Sequence, residues 1–483
     1  MSFWGIKKFI GTPLFILKMD PVLFRTDSGN NYIYSPAKKS VLPLPLDVYE
    51  DILENGYSRS VIYLNLEQYG YLDSWHDDFN GIVYEDDIKN SLQNLSQIVF
   101  ETTTACNLRC RYCCYGEGYN TFESRKWKHG NLRFSIAKAV LDFLTYTFNT
   151  SSYTQAIEEP FAISFYGGEP LMNFTVIKDI VDYAETLNFR NRKLSFTMTT
   201  NATLLSRYAE FLCRHNFKLL VSLDGDKNHN IHRKDSHDKE SFDVVIENLN
   251  KVRALYPEWF STFRYNSVFT NASDVNEIVK WFRKKFGKVP NFSPLHEPTV
   301  GSSDYELIKS MINKFEIPED LRLQEDLMSQ SPMLKRILEF SYHLFSNVYA
   351  NESFFLKEES ERYPTGTCIP FSKRMFVTFD GELHPCEKVN RDNPLGIIVN
   401  DEVIIDHSQI AKNFNQQTRE LKLTCQNCYL QQCCTKCMLC FDKGRCDSFT
   451  NKERFTELLS QSFSYIEKHP NLLTVLEDNI ITK

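Results

Sequence analysis

The chain has 483 residues and a mass of 56.5 kDa, too long for one ordinary domain and long enough for two or three. Apolar residues make up 42% and charged residues 24%, a globular balance, and the net charge of −7 argues against a dedicated nucleic-acid or polybasic membrane binder. Of the 14 cysteines, four lie within 106–114 and seven within 425–446; disulfide frameworks suit short secreted chains, so thiols clustered in a chain this long point to metal.

The first 20 residues are apolar, but Lys7, Lys8, Gly11 and Pro13 interrupt the run and no small-residue cleavage site follows. No stretch approaches the roughly 18 uninterrupted apolar residues of a membrane helix. The expected compartment is a reducing cytoplasm, where thiols remain available as ligands. Residues 31–35 (NYIYS) and 39–45 (KSVLPLP) read as a hairpin. A helix over 46–56 follows, with Leu46, Tyr49, Ile52 and Leu53 on one face and Gly56 as its stop; 61–69 (VIYLNLEQY) reads as another strand.

From about 97 onward strands and helices alternate. Strands are expected at 96–104, 161–168, 193–201, 218–225, 262–270 and 291–297, with helices at 134–148, after Asn173 as cap, and around 206–215, 241–255 and 274–286. About six βα units suit a parallel sheet, either an incomplete barrel or an open doubly wound one. Both architectures place active sites just past strand C-termini, where the chemistry-bearing residues fall. Residues 303–360 read as largely helical. The segment 366–446 holds nine cysteines and few long apolar runs, which fits a small cofactor-supported domain. A helix over 450–475 would pack Phe455, Leu458, Leu459, Phe463 and Ile466 onto the body.

CNLRCRYC places Cys106, Cys110 and Cys113 at x3 and x2 spacing. Three thiolates on a short loop suit three irons of a [4Fe–4S] cube and leave the fourth open. A zinc knuckle is the competing reading and needs a fourth ligand, for which Cys114 is the neighbour.

This motif, with Tyr112 before its third cysteine, resembles that of radical S-adenosylmethionine (radical SAM) enzymes, and the resemblance extends over about 97–446. FYGGEPLMN resembles that family's Gly-Gly-Glu-Pro segment, which implies that Gly167, Gly168, Glu169 and Pro170 hold the methionine amino group. TTNATLL, with Thr199 and Asn201, resembles its Thr-Asn-Gly-Thr-Leu strand end, with Ala202 replacing the usual glycine. SLDGDKNHNIHR implies Ser222 and Asp224 near the cofactor ribose and Arg233 at its carboxylate; the segment is about one residue shorter than the family's, so Lys234 competes for that role. The implied reaction is reductive cleavage of SAM to a 5′-deoxyadenosyl radical that abstracts a substrate hydrogen.

The C-terminal cysteines resemble the SPASM extension of such enzymes, which houses two auxiliary [4Fe–4S] clusters. The resemblance implies Cys368, Cys386 and Cys437 for the first, and Cys425, Cys428, one of Cys433 and Cys434, and Cys446 or Cys440 for the second. A pair of zinc sites is the alternative. Glu387, directly after Cys386, stands where some members carry a carboxylate that takes a substrate proton; an exposed loop glutamate is the plainer reading. Cys114 and Cys213 read as structural.

The implied fold is α/β: a partial (β/α)6 radical SAM barrel over 96–300, with a small α+β N-terminal domain over 1–95. A helical bridge over 301–365, a cysteine-rich iron–sulfur SPASM domain over 366–450 and a C-terminal helix over 451–483 complete it. Residues 1–95 suit either a winged-helix element that binds a leader peptide by strand addition or a cap on the barrel. The implied function is maturation of a ribosomally made precursor peptide or protein by a thioether or carbon–carbon cross-link. An electron donor such as flavodoxin or ferredoxin is implied too, with no nucleic-acid or membrane partner. Sulfatase-type oxidation of Cys or Ser to formylglycine is a second reading, and a zinc-bearing, non-enzymatic binding module a third.

Overall fold

The structure, a computed structural model, describes residues 19–313 and 366–470, apart from 39, 59, 76–80, 114, 116–129, 152–159, 191, 296–304, 390, 392, 432–433, 435, 441–445 and 447–448. In chain order the elements begin with β1 (Val22–Arg25), β2 (Asn31–Ser35), β3 (Ser40–Leu44), α1 (Leu46–Asn55), α2 (Val61–Gln68) and α3 (Glu85–Gln93). There follow β4 (Gln97–Thr103), α4 (Phe134–Thr150), β5 (Phe161–Gly167), α5 (Phe174–Ala184), β6 (Leu194–Thr200), α6 (Leu205–Arg214) and β7 (Lys218–Ser222). Next come α7 (Phe242–Leu255), α8 (Pro257–Ser261), β8 (Arg264–Phe269), α9 (Val275–Phe286), β9 (Asn291–Pro294) and α10 (Tyr305–Met311). The series closes with β10 (Met375–Val377), β11 (Glu382–His384), β12 (Gly396–Val399), β13 (Glu402–Ile404), α11 (His407–Cys425) and α12 (Lys452–Lys468).

By internal contacts the chain divides into two units: Met1–Ile82, Arg336–Gly366 and Gln416–Lys483 in one, Val83–Lys335 and Thr367–Asn415 in the other. The first contains a three-stranded antiparallel sheet in the order β1-β2-β3. Its two faces bury different partners. Ile33 and Leu44 pack on Val48, Tyr49, Ile52, Tyr63 and Leu66 of α1 and α2, while Val22, Phe24 and Tyr34 pack on Phe455 and Leu459 of α12. The hairpin expected at 31–45 is therefore present, but two local readings are corrected. Residues 61–68 are a helix, not a strand, because Ser60 caps it at Tyr63 N (3.1 Å) and Tyr63 and Leu66 recur at helical spacing on the buried side. On α1 the inward face is Val48, Tyr49 and Ile52, whereas Leu46 and Leu53 are 52% and 65% exposed.

In the second unit β4 to β9 run parallel in strictly sequential order, as in the wall of a barrel; a doubly wound sheet would reverse direction at a switch point. One face is apolar: Ile98, Ile163 and Phe196 form one row, Phe100, Phe165 and Met198 the next, and all are buried. The opposite face carries Gln97, Ser164 and Thr197, joined by side-chain hydrogen bonds of 2.6 Å each. That alternation is the strand period of two, and it aims a polar surface away from the helices. Beyond β4 the sheet continues through β10, parallel to it, and then through β11, β12 and β13, each antiparallel to its neighbour. Asn173 occupies the N-cap position of α5, but its side chain donates to the Thr102 carbonyl (2.8 Å) instead of capping the helix. Of the helical stretch expected over 303–360, Tyr305–Met311 is helical and 314–360 lies outside the described residues. Among the described residues no helix is long and apolar enough to cross a membrane.

Two glycines decide how β4 and β5 end. A Cβ on Gly167, which has φ +135°, would stand 2.2 Å from the Thr103 carbonyl oxygen, and one on Gly168 would stand 2.1 Å from that of Ala105. Only glycine permits so close a backbone approach. It is fastened by Gly168 N to Thr103 O (2.8 Å) and Glu169 N to Ala105 O (2.9 Å). Gly168→Ala is expected to cost about 1–3 kcal/mol of stability through overpacking, read as a lower urea midpoint.

Candidate active site at the C-terminal strand ends

The loop after β4 carries the first cysteine cluster. It lies alongside the segment 232–235, with Arg109 N donating to Lys234 O (2.5 Å) and Arg111 N to His232 O (3.1 Å). Cys113 N donates to Cys110 O (3.0 Å), and the thiols of Cys106, Cys110 and Cys113 lie close enough to disfavour one another's ionisation. Burial pushes the Cys106 thiol up to about 12, with the Leu108 N–H opposing and Glu169, Cys110 and Cys113 reinforcing. Burial pushes Cys110 to about 11 against the pull of Arg233. Three half-buried thiols within electrostatic reach of one another, with the Arg233 cation beside Cys110, fit a cluster that takes its ligands as thiolates.

Glu169 is fully buried beneath this loop. Its carboxylate accepts from Thr200 Oγ1 (2.8 Å), Asn201 N (2.7 Å) and Leu171 N (3.2 Å). Burial raises its pKa, while these three donors and Arg233 lower it. Asn201 in turn donates through Nδ2 to Cys106 Sγ (3.7 Å) and Asn107 Oδ1 (3.0 Å), and Asn107 donates to Thr203 Oγ1 (2.7 Å). Ala202, in place of glycine, sits at φ +60°, so the turn keeps the left-handed conformation that glycine adopts more cheaply. Pro170 opens the short 3₁₀ turn Pro170–Asn173.

On the far side, Asp224 is buried with Arg233 and Tyr112. Tyr112 donates its hydroxyl hydrogen to Asp224 and accepts from Arg233 Nη1 (2.8 Å); Val268 N reaches Asp224 Oδ1 (3.0 Å), and Arg233 lies 3.7 Å from the same oxygen. Burial raises the Asp224 pKa, and Arg233, Tyr112 and Val268 oppose it. Between the two basic candidates the geometry distinguishes clearly. Arg233 points inward beside Cys110, whereas Lys234 pairs with exposed Asp238 at 2.8 Å.

Thr199 and Ser222 share the polar face of the sheet, Thr199 facing oppositely to Thr200, whose hydroxyl is the one that holds Glu169. Thr200 and Asn107 were missed by motif reading. Strand alternation distinguishes Thr200 from Thr199 once the buried face is known, but nothing in the spacing marks Asn107.

In the other unit, Cys425 ends α11, Cys428 N donates to Cys425 O (3.1 Å), and Thr450 N donates to Cys428 Sγ (3.4 Å). Burial pushes Cys425 to about 12, and Cys434, Cys428 and Cys446 add to it; Cys434 is pushed to about 11, with Cys428 and Cys446 among the contributors. Cys425, Cys428, Cys434 and Cys446 thus lie within electrostatic reach of one another. Cys433, Cys114 and the Cys440 side chain lie outside the described residues. Cys368 and Cys386, the latter just past β11, are half-buried, as is Cys437. Both oxygens of Glu387 accept from Arg374 Nη1, at 3.1 and 3.2 Å. Cys213 lies half-buried on α6. Among the described residues no three His, Cys, Asp or Glu side chains close into a single-ion site.

Arg233→Met leaves Asp224 charged and buried without its cation. The expected loss is roughly 3–5 kcal/mol in the protein without cofactors, measured by urea unfolding, with Arg233→Met/Asp224→Leu recovering part of it.

Residues 100–282 match the Radical SAM superfamily. The cysteine-type anaerobic sulfatase-maturating enzyme of Clostridium novyi (strain NT) is 22% identical over 402 residues, covering 79% of this chain and 97% of that protein. The radical SAM cyclopropyl synthase TigE of Paramaledivibacter caminithermalis is 23% identical over 197 residues, 38% of this chain and 41% of that one. The structure of native anSMEcpe with bound AdoMet and Cp18Cys peptide superposes with a TM-score of 0.52 at 19% identity, covering 79% of this chain and 99% of that one, a likeness of fold. The chain carries a radical SAM domain on a mostly parallel α/β sheet and is a radical SAM enzyme, not a non-enzymatic binding module.

Proposed function

We propose that this enzyme modifies a peptide or protein substrate by hydrogen abstraction, with a ribosomally made precursor as the substrate and a thioether or carbon–carbon cross-link as the product. The observation that carries the reading is the convergence of Cys106, Cys110 and Cys113 with Glu169, Asn201, Asp224 and Arg233 at the strand ends. Its relatives support a peptidyl substrate, since they include a sulfatase-maturating enzyme. When bound there, a [4Fe–4S] cluster with SAM supplies the 5′-deoxyadenosyl radical.

The chain's own residues divide the remaining work. The three cysteines would hold three irons. Glu169 and the Gly167–Gly168 backbone would hold the methionine amino group, Ser222 and Asp224 the ribose, and Arg233 the carboxylate, while Lys234 stays committed to Asp238. Cys425, Cys428, Cys434 and Cys446 would hold one auxiliary cluster, and Cys368, Cys386 and Cys437 would serve another. Glu387 can accept a substrate proton only when its pair with Arg374 opens. Among the described residues β3 is an edge strand of its sheet, and a leader segment would add beside it as a fourth strand. A flavodoxin or ferredoxin in the cytoplasm would supply electrons.

Oxidation of Cys or Ser to formylglycine is the second reading, favoured by a match that covers 97% of the maturase from Clostridium novyi. One experiment separates the two. Reconstituted enzyme, reductant and SAM are incubated with the peptide encoded beside the gene and, in parallel, with the Cp18Cys peptide. Cross-linking gives a loss of about two mass units per link, as expected of a two-electron oxidation, whereas formylglycine gives a hydrazine-reactive aldehyde. Absence of both products and of 5′-deoxyadenosine overturns the proposal.

Changing Cys106, Cys110 and Cys113 to Ala abolishes SAM cleavage on this reading while leaving auxiliary iron partly bound. Cys434→Ser and Cys446→Ser lower the iron content, and Cys433→Ser does not; iron analysis of the four purified proteins reads the difference.

A further inference from the structure

Glu101 and Arg391 form a buried ion pair that stands apart from the SAM-facing residues. Glu101 lies on β4 with no exposed surface, and its Oε1 accepts from Arg391 Nη2 at 2.6 Å. Arg391 is itself 7% exposed and lies over the Phe376 ring of β10, 5.7 Å from the centroid. The same carboxylate accepts from the Tyr115 hydroxyl (2.9 Å) and from Phe379 N (3.4 Å). Each partner comes from a different segment. Tyr115 is two residues beyond Cys113, Phe379 belongs to the turn between β10 and β11, and Arg391 follows Cys386 and Glu387 by a few residues.

Stability alone is a weak reason for this arrangement. Desolvating two charges offsets most of their attraction, and well-packed apolar residues often serve as well. Here the pair even leaves Arg391 Nε buried without a partner among the described residues, which adds to the cost. What an apolar contact lacks is direction. A carboxylate with three donors fixes three chain segments at hydrogen-bond tolerance, on the opposite side of β4 from the apolar rows. The seating is reinforced next door, where Gly130 leaves room for the Phe379 ring: a Cβ there would meet it at 2.3 Å.

We infer that Glu101 and Arg391 are a positioning pair that holds Tyr115 and the Cys386–Glu387 segment in register with the strand carrying the radical-generating loop. The pair thereby sets the distance between the radical and the substrate hydrogen. This rests on the proposed peptide-modifying reaction. Neither residue is bonded to Glu169, Asn201, Asp224 or Arg233 among the described contacts, so SAM cleavage itself does not depend on them. Productive transfer does, because it requires the reacting atoms within near-attack distance, and a displacement near 1 Å can cost on the order of a hundredfold.

The test uses the reconstituted full chain as wild type, Glu101→Gln, Arg391→Met, Arg391→Lys and the double variant Glu101→Gln/Arg391→Met. The probes are the Cp18Cys peptide and the peptide encoded beside the gene. Expected is unchanged 5′-deoxyadenosine formation without peptide, together with a fall of about tenfold or more in modified peptide per 5′-deoxyadenosine in the single variants. Arg391→Lys recovers part of that ratio. Urea unfolding supplies a readout independent of turnover: the double variant regains the midpoint lost by the singles but not the coupling. An unchanged ratio beside a lowered midpoint overturns the inference and leaves a structural pair. Loss of peptide-independent cleavage also overturns it, since the pair would then belong to the SAM site. If either single variant fails to fold, the double variant decides by the same ratio. Wild-type enzyme that forms neither product nor 5′-deoxyadenosine overturns the proposed reaction, and this inference with it.

Discussion

The close approach of Gly167 and Gly168 to the carbonyls of Thr103 and Ala105 is the constraint on which the site rests. It brings the end of β5 under the cysteine loop and carries Glu169 into a position where its carboxylate holds both its own turn, at Leu171, and the end of β6, at Thr200 and Asn201. Asn201, fixed by that carboxylate through its N–H, then reaches Cys106 and Asn107. Three strand ends are thus joined through one buried acid. Asp224 does the corresponding work for β7, β8 and the segment bearing Arg233. Each acid is buried enough that desolvation raises its pKa, and each is compensated by donors that a disordered loop could not supply.

The sheet explains how such polar groups coexist with a stable core. Rows of Ile, Phe and Met fill one face, so the other is free to carry Gln97, Ser164, Thr197 and Thr199. Burial of the apolar rows stabilises the scaffold, and the polar face contributes chemistry at little cost to that packing. Sequential strand order places successive loops side by side at one end, where residues from five strand ends converge.

Much of this was legible in the residues because it follows from local rules. The cysteine spacing, the glycine pair and the strand periodicity each have a direct physical reading, and the six parallel strands appear where that periodicity put them. The errors have equally local causes. VIYLNLEQ contains enough β-branched and aromatic residues to read as a strand, yet the Ser60 cap and the tertiary face chosen by Tyr63 and Leu66 make it helical. Leu46 and Leu53 fit a helical stripe as well as Val48 does, and only the neighbouring sheet decides which stripe is buried. Within the site, Arg233 and Lys234 are adjacent and chemically alike, so the choice between them needed the buried Asp224 and the exposed Asp238. The pairing of Glu101 with Arg391 spans almost the whole sheet-forming region and leaves no trace in either local sequence.

The packing of α12 against β1 and β2 has a consequence for how the chain is made. Asp27 N bonds Ser464 Oγ and Tyr32 donates to Glu467, contacts between residues more than 400 positions apart. One face of the N-terminal sheet therefore stays uncovered during synthesis, until nearly the last turn of helix has left the ribosome. Closing so long a loop is entropically slow, so Val22, Phe24 and Tyr34 remain open to mispairing throughout that interval. A chain truncated before Lys452 would keep every residue of the site at the parallel strand ends and still lose the cover of its N-terminal sheet.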